Sequence, residues 1–207
     1  MENKLLKVGI SLGDFNGIGP EIIIKAISDS RVLDHFIPVV YGSPKVISFY
    51  KKMLGLHDLS FNFIKEADQA NNKKPNLVVC WEEETEIKPG IASAEAGKYA
   101  ALSLRRMVED AKAGKLDLMV TAPIDKHTIQ GEDFNYPGHT EYFAAEFGEG
   151  ESMMLLVGDD LRVGLVTGHL PLSEVSKNLS KEGIIKKIGI MDSSLRKDFG
   201  IRKPRIA

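Results

Sequence analysis

"SLGDFNGIGPEIIIKA", residues 11–26, places three glycines and one proline between the end of an apolar run and the start of a helical one. Two explanations compete for so bare a turn: a loop that binds a phosphate or dinucleotide, and a tight strand-to-helix connection. The Rossmann fingerprint G-x-G-x-x-G fails, because Gly17-Ile18-Gly19 runs into Pro20-Glu21-Ile22 and lacks the third glycine. The lysine and hydroxyl of a P-loop are missing as well. What remains is a glycine-rich turn expected to offer free N–H groups at a helix N-terminus, a setting that tolerates anions.

Outward from this turn, short apolar runs alternate with helical ones. "LLKVGISL" (5–12) precedes it, and "PEIIIKAISD" (20–29) has helical spacing, with Pro20 suited to the first turn. "FIPVVYG" (36–42) reads as a strand, and "SPKVISFYKKMLG" (43–55) as a helix opened by Ser43-Pro44 and closed by Gly55. "NLVVCW" (76–81) is a further strand, followed by a long helix near 93–113 that stops at Gly114. "LDLMVTA" (116–122) lacks alternation, so a strand buried on both faces is expected. This βαβα order predicts an α/β fold of α/β/α layers: a parallel sheet with helices on both faces.

The pattern changes after residue 130. "SMMLLVG" (152–158) and "LRVGLVT" (161–167), split by Asp159-Asp160, predict an antiparallel hairpin. Residues 173–200 read as helical, with Ser180 as N-cap and Glu182 in the first turn. The Gly/Asp/Asn-rich stretch 131–138 is taken as the crossing between a first α/β domain, 1–130, and the start of a second, 131–207. "GIRKPRIA" (200–207) reads as the opening of a further strand, which suggests part of a longer chain.

Composition narrows the function classes. The 207 residues are 43% apolar and 27% charged, as in ordinary globular domains, and a net charge of −2 gives no electrostatic reason for nucleic-acid or anionic-membrane partners. Cys80 is the single cysteine, so neither an intrachain disulfide nor a Cys-rich zinc site is available. No apolar run nears the roughly 20 residues that span a bilayer, and the first residues carry no signal-peptide pattern, so a cytoplasmic protein is expected.

Three further stretches carry polar side chains suited to chemistry. "VTAPIDKHT" (120–128) sits where open α/β sheets place ligands, beyond the carboxyl end of a strand. Lys126 there either meets a phosphate or carboxylate or belongs to a solvated helix start. "NYPGHTE" (135–141) puts His139 and Thr140 at a helix start, where the dipole favours a neutral imidazole. A ligand-binding histidine and a plain capping residue both fit that position. "VTGHLPL" (166–172) sets His169 at a strand's exit, natural for a metal ligand, although no HxH or HxxxH spacing provides a second. His35 and His57 read as surface residues.

"GDFNGIGPEI" (13–22), "TAPIDK" (121–126), "PGHTE" (137–141) and "TGHLPL" (167–172), in this order, resemble the 4-hydroxythreonine-4-phosphate dehydrogenase family. The resemblance implies an isocitrate/isopropylmalate dehydrogenase-like fold, in which the bare turn is the first strand–helix connection near the active cleft. It implies NAD-dependent oxidation of 4-phosphooxy-L-threonine at C3, then loss of CO2 to 3-amino-2-oxopropyl phosphate in pyridoxine 5'-phosphate biosynthesis. It also implies NAD or NADP, a divalent metal (zinc, cobalt or magnesium) held by three histidines, and a homodimer with the active site at its interface. By position His169 matches the first metal histidine, and His139 and Thr140 match the substrate-binding pair. Asp125 stands where many members carry another residue. The other two metal histidines, the phosphate-gripping residues and most of the NAD site fall beyond residue 207, so the 207-residue piece is expected to be inactive alone. Close relatives that act on other four-carbon acid phosphates, and a non-catalytic binding or assembly module, are the competing readings.

Overall fold

The computed structural model describes residues 5–148 and 152–207. The chain separates into two compact units, Met1–Phe147 and Gly148–Ala207. The stretch 131–138 lies within the first.

The first unit is built on five strands: β1 (Leu6–Ser11), β2 (Phe36–Gly42), β3 (Asn62–Ile64), β4 (Asn76–Val79) and β5 (Leu118–Thr121). They pair in the order β3-β4-β2-β1-β5, every pair parallel. The helices are α1 (Gly19–Ser28), α2 (Pro44–Met53), α3 (Ala94–Lys112) and α4 (His139–Phe147). Sequence signals explain their ends. Pro20 occupies the first turn of α1, the Ser43 hydroxyl accepts from Lys45 N–H at the start of α2, and Ser93 accepts from Ala96 N–H at the start of α3. Gly55 and Gly114 follow α2 and α3 in the left-handed region, φ +69° and +71°.

Period-2 alternation divides the strands between two cores. Val8 and Ile10 of β1 and Val40 of β2 join Ile23, Ile24 and Ile27 of α1 and Val46, Ile47 and Tyr50 of α2 on one side. Val39 and Tyr41 of β2 and Val78 of β4 join Ala100, Leu104, Met107 and Val108 of α3 on the other. Each fully buried aliphatic side chain contributes about 1.5–3 kcal/mol over an exposed one.

The expectation that β5 is buried on both faces does not hold. Leu118 and Val120 remain 54% and 51% exposed. They sit in register with Val8 and Ile10, on the sheet face that α1 and α2 cover. That cover stops at β1, and β5 is the edge strand. An apolar strand sequence thus marks two faces able to be buried, not two faces that are.

The second unit holds the expected antiparallel hairpin, β6 (Leu155–Val157) with β7 (Arg162–Gly164). Its helical stretch is broken into α5 (Leu172–Val175), a short 3-10 turn, and α6 (Lys181–Lys197). The break falls where Ser180 starts α6, its hydroxyl accepting from Gly183 N–H at 3.0 Å. Residues 201–207 form no strand, contrary to the reading of "GIRKPRIA"; no strand among the described residues pairs with them.

Candidate functional site

The sheet order places a topological switch at β1. The chain leaves β1 towards β2 on one side and returns to β5 on the other, and it is at such a point, beyond the carboxyl ends of β1 and β5, that open α/β sheets form their ligand crevice. Three segments of the first unit converge there: the turn after β1, the loop after β5, and the start of α4.

The turn is bare for a steric reason. Gly13 has φ +69°, and a β-carbon on it would lie 2.3 Å from the Pro123 carbonyl oxygen. Its absence lets the two loops meet backbone to backbone, with Asp14 N–H donating to that oxygen at 3.0 Å. The expectation of free N–H groups is overturned at three positions. Asp14 N–H is used in this way, Asn16 N–H donates to Asp14 Oδ1 at 2.8 Å, and Gly17 N–H donates to Asp14 O at 3.0 Å. With the Asp14 carboxylate turned into it, the turn does not fit the phosphates of a dinucleotide.

Asn16, buried to 3% exposure, clasps the loop ahead of α3. Its Nδ2 donates to Ile91 O at 3.0 Å and Ser93 Oγ at 3.3 Å, while its Oδ1 accepts from Lys88 N–H at 2.7 Å. Burial lifts the Asp14 carboxyl above its ordinary value against the hydrogen bond from Asn16, and the charge of Asp125 lifts it further. Sequence reading passed over Asp14 and Asn16. The available signal was a carboxylate and an amide set among glycines immediately after an apolar strand.

After β5, Asp125 turns back on its own backbone. Its Oδ1 accepts from His127 N–H at 2.8 Å and Thr128 N–H at 2.9 Å, and these bonds hold its carboxyl below the usual range. The loop is pressed against α3 at Gly97, where a β-carbon would lie 1.8 Å from Thr128 O. His127 and Lys126 are exposed.

His139 opens α4, as its sequence position suggests, with Thr140 exposed beside it. The helix is anchored by Tyr142, whose ring lies 5.2 Å from Phe134 and 5.3 Å from Tyr136. The His139 ring stacks on Phe143 at 6.2 Å and 15°. Its Nε2 is shielded from solvent and has no hydrogen-bond partner among the described residues. Burial pushes its pKa below the ordinary histidine value, and the nearby Lys126 ammonium pushes in the same direction. The imidazole is therefore neutral at physiological pH, with one ring nitrogen uncommitted.

His169 belongs to the second unit, exposed, five residues past the end of β7. Among the described residues no group of three His, Cys, Asp or Glu side chains is arranged to hold a metal ion. The residues present supply one imidazole and do not by themselves fit a metal centre. Among the described residues, no helix is long and apolar enough to cross a membrane.

The parallel α/β sheet with helices on both faces is the architecture of the isocitrate/isopropylmalate dehydrogenase-like proteins, and solved structures share it. A 4-hydroxythreonine-4-phosphate dehydrogenase from Burkholderia phymatum superimposes with a TM-score of 0.85 at 30% identity, over 98% of this chain and 62% of that one. The family model for the pyridoxal phosphate biosynthetic protein PdxA matches residues 34–207, and the chain belongs to that family. A 4-hydroxythreonine-4-phosphate dehydrogenase from Bacteroides thetaiotaomicron is 41% identical over 208 residues, which cover all of this chain and 57% of the relative. A Bradyrhizobium diazoefficiens relative, provisionally named D-threonate 4-phosphate dehydrogenase, is 34% identical over 97% of this chain and 58% of its own length. The chain thus spans about three fifths of the relatives it matches.

Proposed function

We propose that this chain forms the substrate-holding part of an NAD(P)-dependent 4-hydroxythreonine-4-phosphate dehydrogenase, an oxidoreductase of pyridoxal phosphate biosynthesis. The observation that carries the reading is the neutral His139 with its free Nε2, set beside Thr140 at the switch-point crevice of a chain 41% identical to a dehydrogenase of that name. The reaction takes a hydride from C3 of 4-phosphooxy-L-threonine and a proton from its hydroxyl. The β-keto acid then loses its carboxylate as CO2, and the electron pair left on carbon is protonated.

This chain's share of the work is binding and orientation. His139 Nε2 and the Thr140 hydroxyl meet the substrate's polar groups, and Asn16 holds the wall of the crevice in place. NAD or NADP as hydride acceptor and zinc, cobalt or magnesium as activating ion are proposed for the whole protein. So are a homodimer and a cytoplasmic location. His169 is proposed as one of the metal's ligands.

The test is NAD reduction with 4-phosphooxy-L-threonine, run with zinc and with magnesium on the gene's whole product and on the 207-residue chain. Activity that disappears in His139→Ala is expected for the former, and little or none for the latter. A second reading, dehydrogenation of another four-carbon acid phosphate, is favoured by the Bradyrhizobium diazoefficiens relative. Turnover of D-threonate 4-phosphate in place of 4-phosphooxy-L-threonine would select it.

A further inference from the structure

The loop after β5 and the start of α4 bring together two nitrogen groups without a counterpart. Lys126 is exposed, and no carboxylate among the described residues pairs with its ammonium. Its carbon chain passes over Gly138, close enough that a β-carbon there would lie 3.8 Å from Lys126 Cε. The next residue is His139, whose shielded Nε2 has no partner among the described residues. The neighbouring carboxylates do not fill the gap. Asp125 is taken up by the N–H groups of His127 and Thr128, and Glu141, on α4 itself, has its Oε2 3.4 Å from that same β-carbon position but forms no ion pair with Lys126 among the described residues. An ammonium and an imidazole nitrogen held side by side repel each other once both are charged. An oxyanion between them removes that repulsion and gives each a charge-assisted hydrogen bond.

We propose that Lys126 is a further binding residue of this site: its ammonium and His139 Nε2 together receive one oxyanion of the substrate. The inference rests on the function proposed above, whose substrate carries two such groups, a phosphate and a carboxylate. Lys126 and Glu141 are the charged side chains beside His139, from the loop after β5 and from α4 respectively. With the ring neutral and its proton on Nε2, His139 donates and Lys126 supplies the charge.

The test is an NMR titration of the His139 ring in the 207-residue chain, with inorganic phosphate and, separately, with L-threonine. Wild type is expected to show a saturable shift of the His139 resonances with one of the two ligands, and a rise in the ring's pKa on binding. Response to phosphate assigns the phosphate to the pair; response to threonine assigns the carboxylate. Lys126→Met is expected to weaken that binding about 10- to 100-fold, the range for a charged hydrogen bond, and to raise the ligand-free pKa of His139 while burial keeps it below the ordinary value. Lys126→Arg restores most of both. Silence with both ligands, or Lys126→Met binding as tightly as wild type, overturns the proposal. The dehydrogenase assay on the whole product separates the two ideas. Turnover with no contribution from Lys126 removes this inference alone, whereas Lys126-dependent oxyanion binding with no turnover removes the proposed reaction and keeps the pair.

Discussion

The two units carry similar apolar sequence and use it differently. The first closes two cores around one sheet. In the second, Leu195 is the one buried apolar side chain among the described residues, while Leu156, Val163, Leu172 and Ile185 are 43–89% exposed. The sheet of the second unit has only two strands among the described residues, and a hairpin of that size is marginal by itself in water. The contrast teaches that local signals suffice to cap and phase a helix, as Ser180 does for α6, without giving its apolar face a core to enter. Burial is a property of the assembled sheet.

Substitutions matched across the units should sharpen that contrast. The largest effect is expected at Gly97→Ala, whose new methyl would sit 1.8 Å from the Thr128 carbonyl. Separating α3 from the loop after β5 should cost about 4 kcal/mol or more in urea unfolding, at the upper end for a single change. An unchanged midpoint would falsify the close approach that builds the crevice. Next, Leu104→Ala in the first unit should lose about 3 kcal/mol, whereas Ile188→Ala on α6, 45% exposed, should lose under about 1 kcal/mol. Equal losses would mean that the second unit carries a core of its own.

Tyr41→Phe removes a buried hydroxyl that donates to Asp110 Oδ2 at 2.8 Å. Asp110 keeps Lys115 at 3.1 Å and Ala67 N–H at 3.2 Å, so the expected loss is about 1–1.5 kcal/mol. Gly189→Ala should do the opposite. It lies inside α6 with nothing within 4 Å of a new β-carbon. Hydrogen exchange of the α6 amides should slow, reporting a gain of about 0.5–1 kcal/mol.

The smallest effect is a pH dependence. Burial holds the Asp14 carboxyl above 3.8, so the folded chain binds its proton more readily than the unfolded one. Stability therefore falls as pH rises through the window above 3.8, and the penalty persists at neutral pH. Asp14→Asn keeps an oxygen to accept from Asn16 N–H and cannot ionise. It should be slightly more stable than wild type at pH 7, with the advantage disappearing in acid below 3.8. A constant difference across that range would remove burial of the charge as the cause.

Much of the fold was legible because its signals are local. "FIPVVYG" is strand β2 residue for residue, Ser43, Gly55 and Gly114 mark helix ends, and Asp159-Asp160 turns the hairpin. What was not legible depends on partners far along the chain. The Tyr41–Asp110 bond joins residues 69 apart, β3 is three residues long, and the exposure of Leu118 depends on which helices stop at β1. The site divides in the same way. Lys126, His139 and Thr140 stood out as polar residues at element ends, but the Asn16 clasp and the facing of Asp14 towards Asp125 exist only once β1 and β5 lie side by side.

The bare flank of β5 also governs how the 207-residue chain behaves in the tube. An edge strand offering Leu118 and Val120 beside main-chain groups that no strand among the described residues pairs with is an adhesive seam, open to any extended peptide of matching pattern. Concentrated stocks should thicken or cloud with time, and a single lysine at position 118 should keep them clear for longer without touching the crevice.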